Sequence, residues 1–232
     1  MSVTTERIED TLVVTLDDGA KNVLDVPVFG ELTAALDGAP EDVTAIVLTG
    51  RDDILSAGLN LKVLQSGAEA AVDLIEGLGR FILRLWTEPR PVVVAAHGHA
   101  IAGGTMLCMA ADHSVVADGP WKLGLTEVAV GLPLPRFGVA IARHNLRNDV
   151  IEDLVIQGRT VSPAEAVEVG FATELAAHDD VTDRAMEVAS ALSGLPRAAF
   201  AETKRRFRQA TADEELANLH EDASWLIGSA LG

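Results

Sequence analysis

The strongest constraint on the fold is the alternation of short β-rich runs with helical segments through the first 125 residues. The runs "TLVVTLDD" (11–18), "VTAIVLTG" (43–50), "PVVVAAHG" (91–98), "HSVVAD" (113–118) and "WKLGL" (121–125) read as strands. Between them, "VPVFGELTAALDG" and "EAAVDLIEGLGRFILRLWTE" repeat apolar residues at spacings of three and four, the period of a helix with one buried face. Such alternation predicts a layered α/β core with crossover connections. After Pro135 the pattern predicts helices throughout. "VSPAEAVEVG" carries Ser162 as N-cap, Pro163 at the first helical position and Gly170 as the stop. Three further helices are expected over "DDVTDRAMEVASALSG", "PRAAFAETKRRFRQA" and "DEELANLHEDASWLIGSALG". The chain therefore divides into a core, 1–134, and a helical region, 135–232.

Composition narrows the partners. Acidic side chains outnumber basic ones 35 to 18, a net charge of −17, which argues against a broad nucleic-acid or anionic-membrane contact. An anionic small ligand would have to be held by backbone N–H groups and a few local cations. No uncharged apolar run approaches the roughly 18 residues of a membrane span. The start "MSVTTERIED" lacks the basic and apolar regions of an export signal, so a cytoplasmic location is expected. The single cysteine, Cys108, sits in an apolar helical pattern and is expected to be a buried, inert thiol. The basic cluster "KRRFRQ" (204–209) is expected to be a solvated helix face.

The segment "HGHAIAGGTMLCMAADH" (97–113) sets Gly103 and Gly104 at the start of an apolar helix. A helix opening there leaves its first N–H groups unpaired at the positive end of its dipole, and glycine lets another group approach that backbone. Two such donors make an oxyanion hole, although a glycine pair also serves as a packing device. A second small-residue turn, Ser56-Ala57-Gly58 in "ILSAGLNLKVL", offers Leu59 N–H as the other donor.

Taken in order, "SAGLNLK", "HGHAIAGGTMLCMAAD", "KLGLTEVAVGLPLP" and "GRTVSPAEAVEVGFATEL" resemble the crotonase superfamily of enoyl-CoA hydratases and isomerases over nearly the whole chain. The resemblance implies a spiral of ββα turns with a helical C-terminal region, a homotrimer or dimer of trimers, and an acyl-CoA thioester as substrate. It implies no separate cofactor, since CoA is part of the substrate. The oxyanion donors fall on Leu59 and Gly103. CoA contacts fall near Lys21, Asn22, Val23, Leu24, Ala57 and Lys62, largely through backbone, with "AKNVLD" (20–25) similar to the family's CoA-contacting turn. Gly104 and Met106 are the remaining substrate-facing positions.

Hydratases of this family use two glutamates. One falls three residues after the oxyanion glycine, almost one helical turn above it, and here that position is Met106, which cannot transfer a proton. The other falls on Glu127, among Leu123, Leu125, Val128, Ala129, Val130 and Leu132, where burial would raise its pKa toward that of a base working near neutrality. One carboxylate and one oxyanion hole suffice to move a double bond, so the expected activity is enoyl-CoA isomerisation. The alternatives are a hydratase with one carboxylate and an acyl-CoA-binding protein without catalysis. The six histidines are scattered. His97 and His99 share a face only if the strand before them continues, and no zinc-ligand spacing is present. A Ser-His-Asp triad and a dinucleotide fingerprint find no support in the spacing either.

Overall fold

The computed structural model describes residues 2–230. Eleven strands are present among them: β1 (Val3–Ile8), β2 (Thr11–Leu16), β3 (Val23–Leu24), β4 (Ala45–Thr49), β5 (Ile54–Ser56), β6 (Gly58–Leu59), β7 (Val92–Ala96), β8 (His99–Ile101), β9 (His113–Ala117), β10 (Leu123–Gly124) and β11 (Glu174–Ala176). The helices are α1 (Val26–Asp37), α2 (Leu61–Leu64), α3 (Ala68–Trp86), α4 (Gly103–Ala110), α5 (Arg136–Asn145), α6 (Ile151–Ile156), α7 (Pro163–Val169), α8 (Val181–Ser193) and α9 (Arg197–Ala230). No helix among the described residues is long and apolar enough to cross a membrane.

The central sheet has the order β1-β2-β4-β7-β9-β11, antiparallel only at β1–β2. Its inner strands are covered on both faces, which is why all five residues of β7 are buried. Successive side chains sort by parity. Ile46, Leu48, Val92, Val94 and Val116 join the large core with α1, α3, α4, α5 and α9. Ala45, Val47, Val93, Ala95 and Val115 face α8 through Val181, Ala185, Val188 and Ala189. Two smaller parallel sheets, β10-β8-β5 and β3-β6, form the second side of each spiral turn. The predicted class, an α/β ββα spiral with a C-terminal helical region, is the one observed.

Several local expectations are corrected. The run after Pro135 is not wholly helical: Glu174–Ala176 pairs in parallel with β9 and completes the sheet. Three residues are too few to show a period, so their pairing, not their pattern, makes them a strand. The two helices expected over 196–232 are one, α9, because no glycine or proline interrupts 197–227 and Ala212 at the expected break is buried. "WKLGL" contracts to the two residues of β10. The strand before His97 does not continue: β7 ends at Ala96 and β8 starts at His99. Ser162 does cap α7, accepting from Glu165 N–H at 3.3 Å, and Gly170 ends it at φ 99°.

The basic cluster divides between two faces of α9. Arg205 and Arg206 pair with Glu202 in solvent. Lys204 and Arg208, one turn apart, point inward. Lys204 Nζ donates to Glu88 O (2.6 Å), Arg90 O (2.9 Å) and Asp112 Oδ2, while Arg208 Nη1 donates to Asp112 Oδ1 and Trp86 O, both at 2.9 Å. Asp112 also accepts Val92 N–H at 2.8 Å. One carboxylate thus ties the C-terminal helix to the end of α3 and the start of β7. Removing one partner of such a buried pair leaves the other charge uncompensated. Asp112→Ala is expected to cost about 3–5 kcal/mol in urea unfolding, with part recovered in Asp112→Leu/Lys204→Met; a loss below about 1 kcal/mol, the scale of a surface pair, would refute the assignment.

Candidate active site

Four sequence segments converge through the short parallel ladders. Pairing of β3 with β6 sets Val23 against Gly58 and Leu24 against Leu59, and Ala57 N–H donates to Lys21 O at 3.0 Å. Pairing of β5 with β8 brings Ser56 beside Ala100, and β10 lies on the other edge of β8, with Gly124 opposite Ile101. Residues 21–24, 56–59, 100–104 and 123–127 are thereby brought together.

The first of these segments is fixed by Asn22, which is fully buried at φ 49°. Its amide donates to Leu16 O (2.7 Å) and Leu55 O (3.1 Å) and accepts from Asp18 N–H (3.0 Å). Its carbonyl accepts the Ser56 hydroxyl at 2.6 Å. The Asn22 side chain is therefore consumed by the fold, and Leu24, also fully buried, reaches Gly103 with Cδ1. Neither side chain is left free for a ligand at these two positions. Val23 and Ala57 are half-buried. Lys21 and Lys62 are exposed, and neither forms an ion pair among the described residues.

The glycines act first as packing devices. A Cβ on Gly104 would stand 2.5 Å from Ser56 O. One on Gly58, which has φ 85°, would stand 2.9 Å from Ala102 Cβ and 3.3 Å from Gly103 N. The backbones of 56–58 and 102–104 abut because Gly58 and Gly104 carry no side chain at the contact. The hydrogen-bond ladder of α4 begins with Met106 N–H donating to Ala102 O at 3.1 Å, so the N–H groups of 103–105 stand before its first bond. Across the contact, β6 uses Asn60 N–H, to Leu24 O at 2.9 Å, and successive strand N–H groups point to opposite edges. Leu59 N–H accordingly points away from β3.

Sequence reasoning missed Ala102, a non-glycine residue at φ 52° and ψ −115°. That ψ sets the plane of the 102–103 peptide and with it the direction of Gly103 N–H. The conformation is held by Ala102 N–H donating to Gly124 O at 2.8 Å. Thr105 adds a second tie, its hydroxyl donating to Ala100 O at 2.6 Å and accepting Gly124 N–H at 2.9 Å. Strain of this kind costs roughly 1–3 kcal/mol and persists only where its surroundings impose it. The sequence signal was available only as the small side chain itself.

Glu127 lies three residues beyond Gly124, before a single 3-10 turn, Val128–Val130, and not at the head of a full helix. It is 6% exposed, and its Oε2 has no hydrogen-bond partner. Burial pushes its pKa up to about 7, against a smaller opposing effect of its own backbone N–H. Met106 is fully buried, and its Cε would stand 3.1 Å from a Cβ on Gly138, beside Leu134. The side chain is thus directed to the start of α5. Cys108 is buried, its thiol pushed up to about 12 by desolvation, as an inert core residue should be. His97 bonds Thr182 Oγ1 at 3.0 Å, and His99 Nδ1 accepts Lys122 N–H at 3.1 Å, so both serve local structure.

The spiral, its abutting glycine turns and a buried glutamate beside them can be set against known proteins. The sequence profile of the enoyl-CoA hydratase/isomerase family matches residues 6–227. A putative enoyl-CoA hydratase of Thermus thermophilus is 34% identical over 197 residues, covering 82% of this chain and 76% of that protein. The mitochondrial enoyl-CoA delta isomerase 1 of mouse is 29% identical over 216 residues, covering 91% and 75%. The structure of a Mycobacterium tuberculosis protein described both as an enoyl-CoA isomerase and as a probable enoyl-CoA hydratase superposes with a TM-score of 0.90 at 32% identity, over 97% of this chain and 98% of that one. The chain belongs to the enoyl-CoA hydratase/isomerase family, within the crotonase superfamily.

The Glu127 environment has a consequence for stability. An acid whose pKa is raised on folding stabilises the protein only in its protonated form, so this contribution is present below the ordinary glutamate value of 4.5 and is lost as pH rises through about 7. Glu127→Gln removes the titration. Relative to the wild type, the variant should gain on the order of 3 kcal/mol between pH 4.5 and pH 8, read from denaturant midpoints. Parallel pH profiles for the two proteins would contradict a carboxyl whose pKa is raised by burial.

Proposed function

We propose that the protein is an enoyl-CoA isomerase that shifts a double bond with Glu127 as its single acid/base. The observation that carries this reading is the site's single carboxylate: buried, with Oε2 lacking a hydrogen-bond partner and its pKa brought to about 7, while Met106 occupies the sequence position of a second acid. Glu127 takes the proton from C2 of a 3-enoyl-CoA. The electron pair delocalises into the thioester as a dienolate, and the N–H groups of Leu59 and Gly103 stabilise its oxygen. Return of the proton to C4 leaves the double bond between C2 and C3. No water is activated, and the carboxylate ends in the form in which it began. Gly104 permits the close approach of the turns, and the backbone of 21–24 and Ala57 lines the place of the CoA portion, with Lys21 and Lys62 as local cations. The same reading takes the assembly as a homotrimer or dimer of trimers, supported by the exposed Val128 (45%) and Val130 (57%) next to the glutamate.

The competing reading, a hydratase with one carboxylate, draws on the hydratase name of the Thermus relative. Matched 3-enoyl-CoA and 2-enoyl-CoA thioesters, followed by the absorbance of the conjugated thioester, separate the two. The native protein is expected to conjugate the first and leave the second nearly unchanged. Glu127→Gln should lower isomerisation by about 10²-fold or more with little change in thioester affinity. Rapid hydration by the native protein, or native isomerisation by Glu127→Gln, would overturn the mechanism. A protein that binds acyl-CoA but turns over neither thioester is the non-catalytic alternative.

A further inference from the structure

The loop that carries Glu127 is held from its far end. Helix α5 starts at Arg136 behind Pro135, which offers no side-chain cap, so its first N–H groups have no local acceptor. Asp222 of α9 supplies one: Arg136 N–H donates to Asp222 Oδ2 at 2.8 Å. The Arg136 guanidinium also reaches back to α9, with Nε 3.5 Å from Glu215 Oε2 and Nη2 3.6 Å from Glu214 Oε1. Glu215 and Asp222 are two helical turns apart and share one face. Between them the buried Leu219 packs with the Phe137 ring onto α3 at Gly79. One residue at the head of α5 is therefore gripped at backbone and side chain by one face of α9.

Apart from the open turn at Gly131 (φ 80°), what lies between Arg136 and Glu127 is restrained. Pro133 and Pro135 fix two of the φ angles in "LPLP". Leu134 packs on Gly138 beside Met106, and buried Leu132 donates its N–H to Glu127 O at 3.0 Å. A displacement of the α5 head has little slack in which to be absorbed before it reaches the glutamate.

We propose that Asp222 is a positioning residue for Glu127: by capping the head of α5 it fixes the 131–135 loop and thereby the depth at which the carboxylate is held. The inference rests on the reading of Glu127 as the acid/base. The groups of the clamp, Arg136, Glu214, Glu215 and Asp222, act through the position of the loop and not through their charge, since burial and its own backbone N–H are what shift Glu127. A loosened loop admits water to the carboxylate, and solvation favours the ionised form.

The test uses the full chain with Asp222→Ala, Asp222→Asn, Glu215→Gln and Glu127→Gln. Two quantities are read: kcat and KM against pH on a 3-enoyl-CoA, and titration of the Glu127 carboxyl by carbon-13 NMR, assigned by its absence in Glu127→Gln. Asp222→Ala should lower kcat about tenfold with KM unchanged, the scale of a small misplacement of a reacting group. Its acid-limb midpoint and its Glu127 resonance should both move down by about one unit. Glu215→Gln should move both less, and Asp222→Asn, which keeps the acceptor oxygen, should restore both. A fall in kcat with an unmoved Glu127 titration, equal behaviour of the Ala and Asn variants, or no change in any variant would overturn the proposal. Native turnover by Glu127→Gln would instead remove the catalytic reading, and the NMR titration would still decide whether Asp222 sets the depth of the carboxyl.

Discussion

Everything at the site depends on two backbones touching. Ser56-Ala57-Gly58 and Ala102-Gly103-Gly104 come from different turns of the spiral, and their approach is set by the missing side chains of Gly58 and Gly104. Hydrophobic burial cannot supply this kind of contact, because it is non-directional and tolerates shifts that a pair of aimed N–H groups does not. Directional ties supply it. The Ser56 hydroxyl holds Asn22 O, Thr105 bridges Ala100 and Gly124, and Ala102 is kept at a positive φ by a bond to Gly124 O.

Much of this was legible in the sequence, for identifiable reasons. The long elements announced themselves by period: α1, α3 and the inner strands β4, β7 and β9 fall where apolar spacing put them. Gly103, Gly104 and Glu127 stood out because their residue types are unusual in their settings, paired glycines before an apolar helix and a carboxylate inside an apolar run, whereas Leu59 was marked only by the small-residue turn before it and by the family resemblance. The two- and three-residue strands β3, β5, β6, β8 and β11 were invisible, since a ladder that short is defined by its partner. Lys204 and Arg208 looked like solvent-facing charges because their partner Asp112 is some ninety positions away in sequence, and only the closed fold shows one carboxylate meeting both. The grip of Asp222 on Arg136 was hidden for the same reason.

Burial and reactivity pull in opposite directions at Glu127. The chain gives up some folding stability at neutral pH to keep a carboxylate with an unpartnered Oε2 in a dry setting, and the surrounding apolar residues offset that cost. Met106 adds no second charge, since a carboxylate in its fully buried position would be desolvated and its pKa raised. Its long flexible side chain instead fills the space against Leu134 and Gly138.

The late strand β11 has a further consequence, for the order in which the chain can be built. β9 is paired by β7 on one side as soon as both are made, but its other edge stays open until residue 174 has left the ribosome, and the sheet face lined by Val47, Val93 and Val115 stays bare until α8 follows. An open parallel edge beside bare valines is a template for pairing with another nascent chain. A fragment cut at residue 134 would lack both β11 and α8 and would keep that edge and that face open.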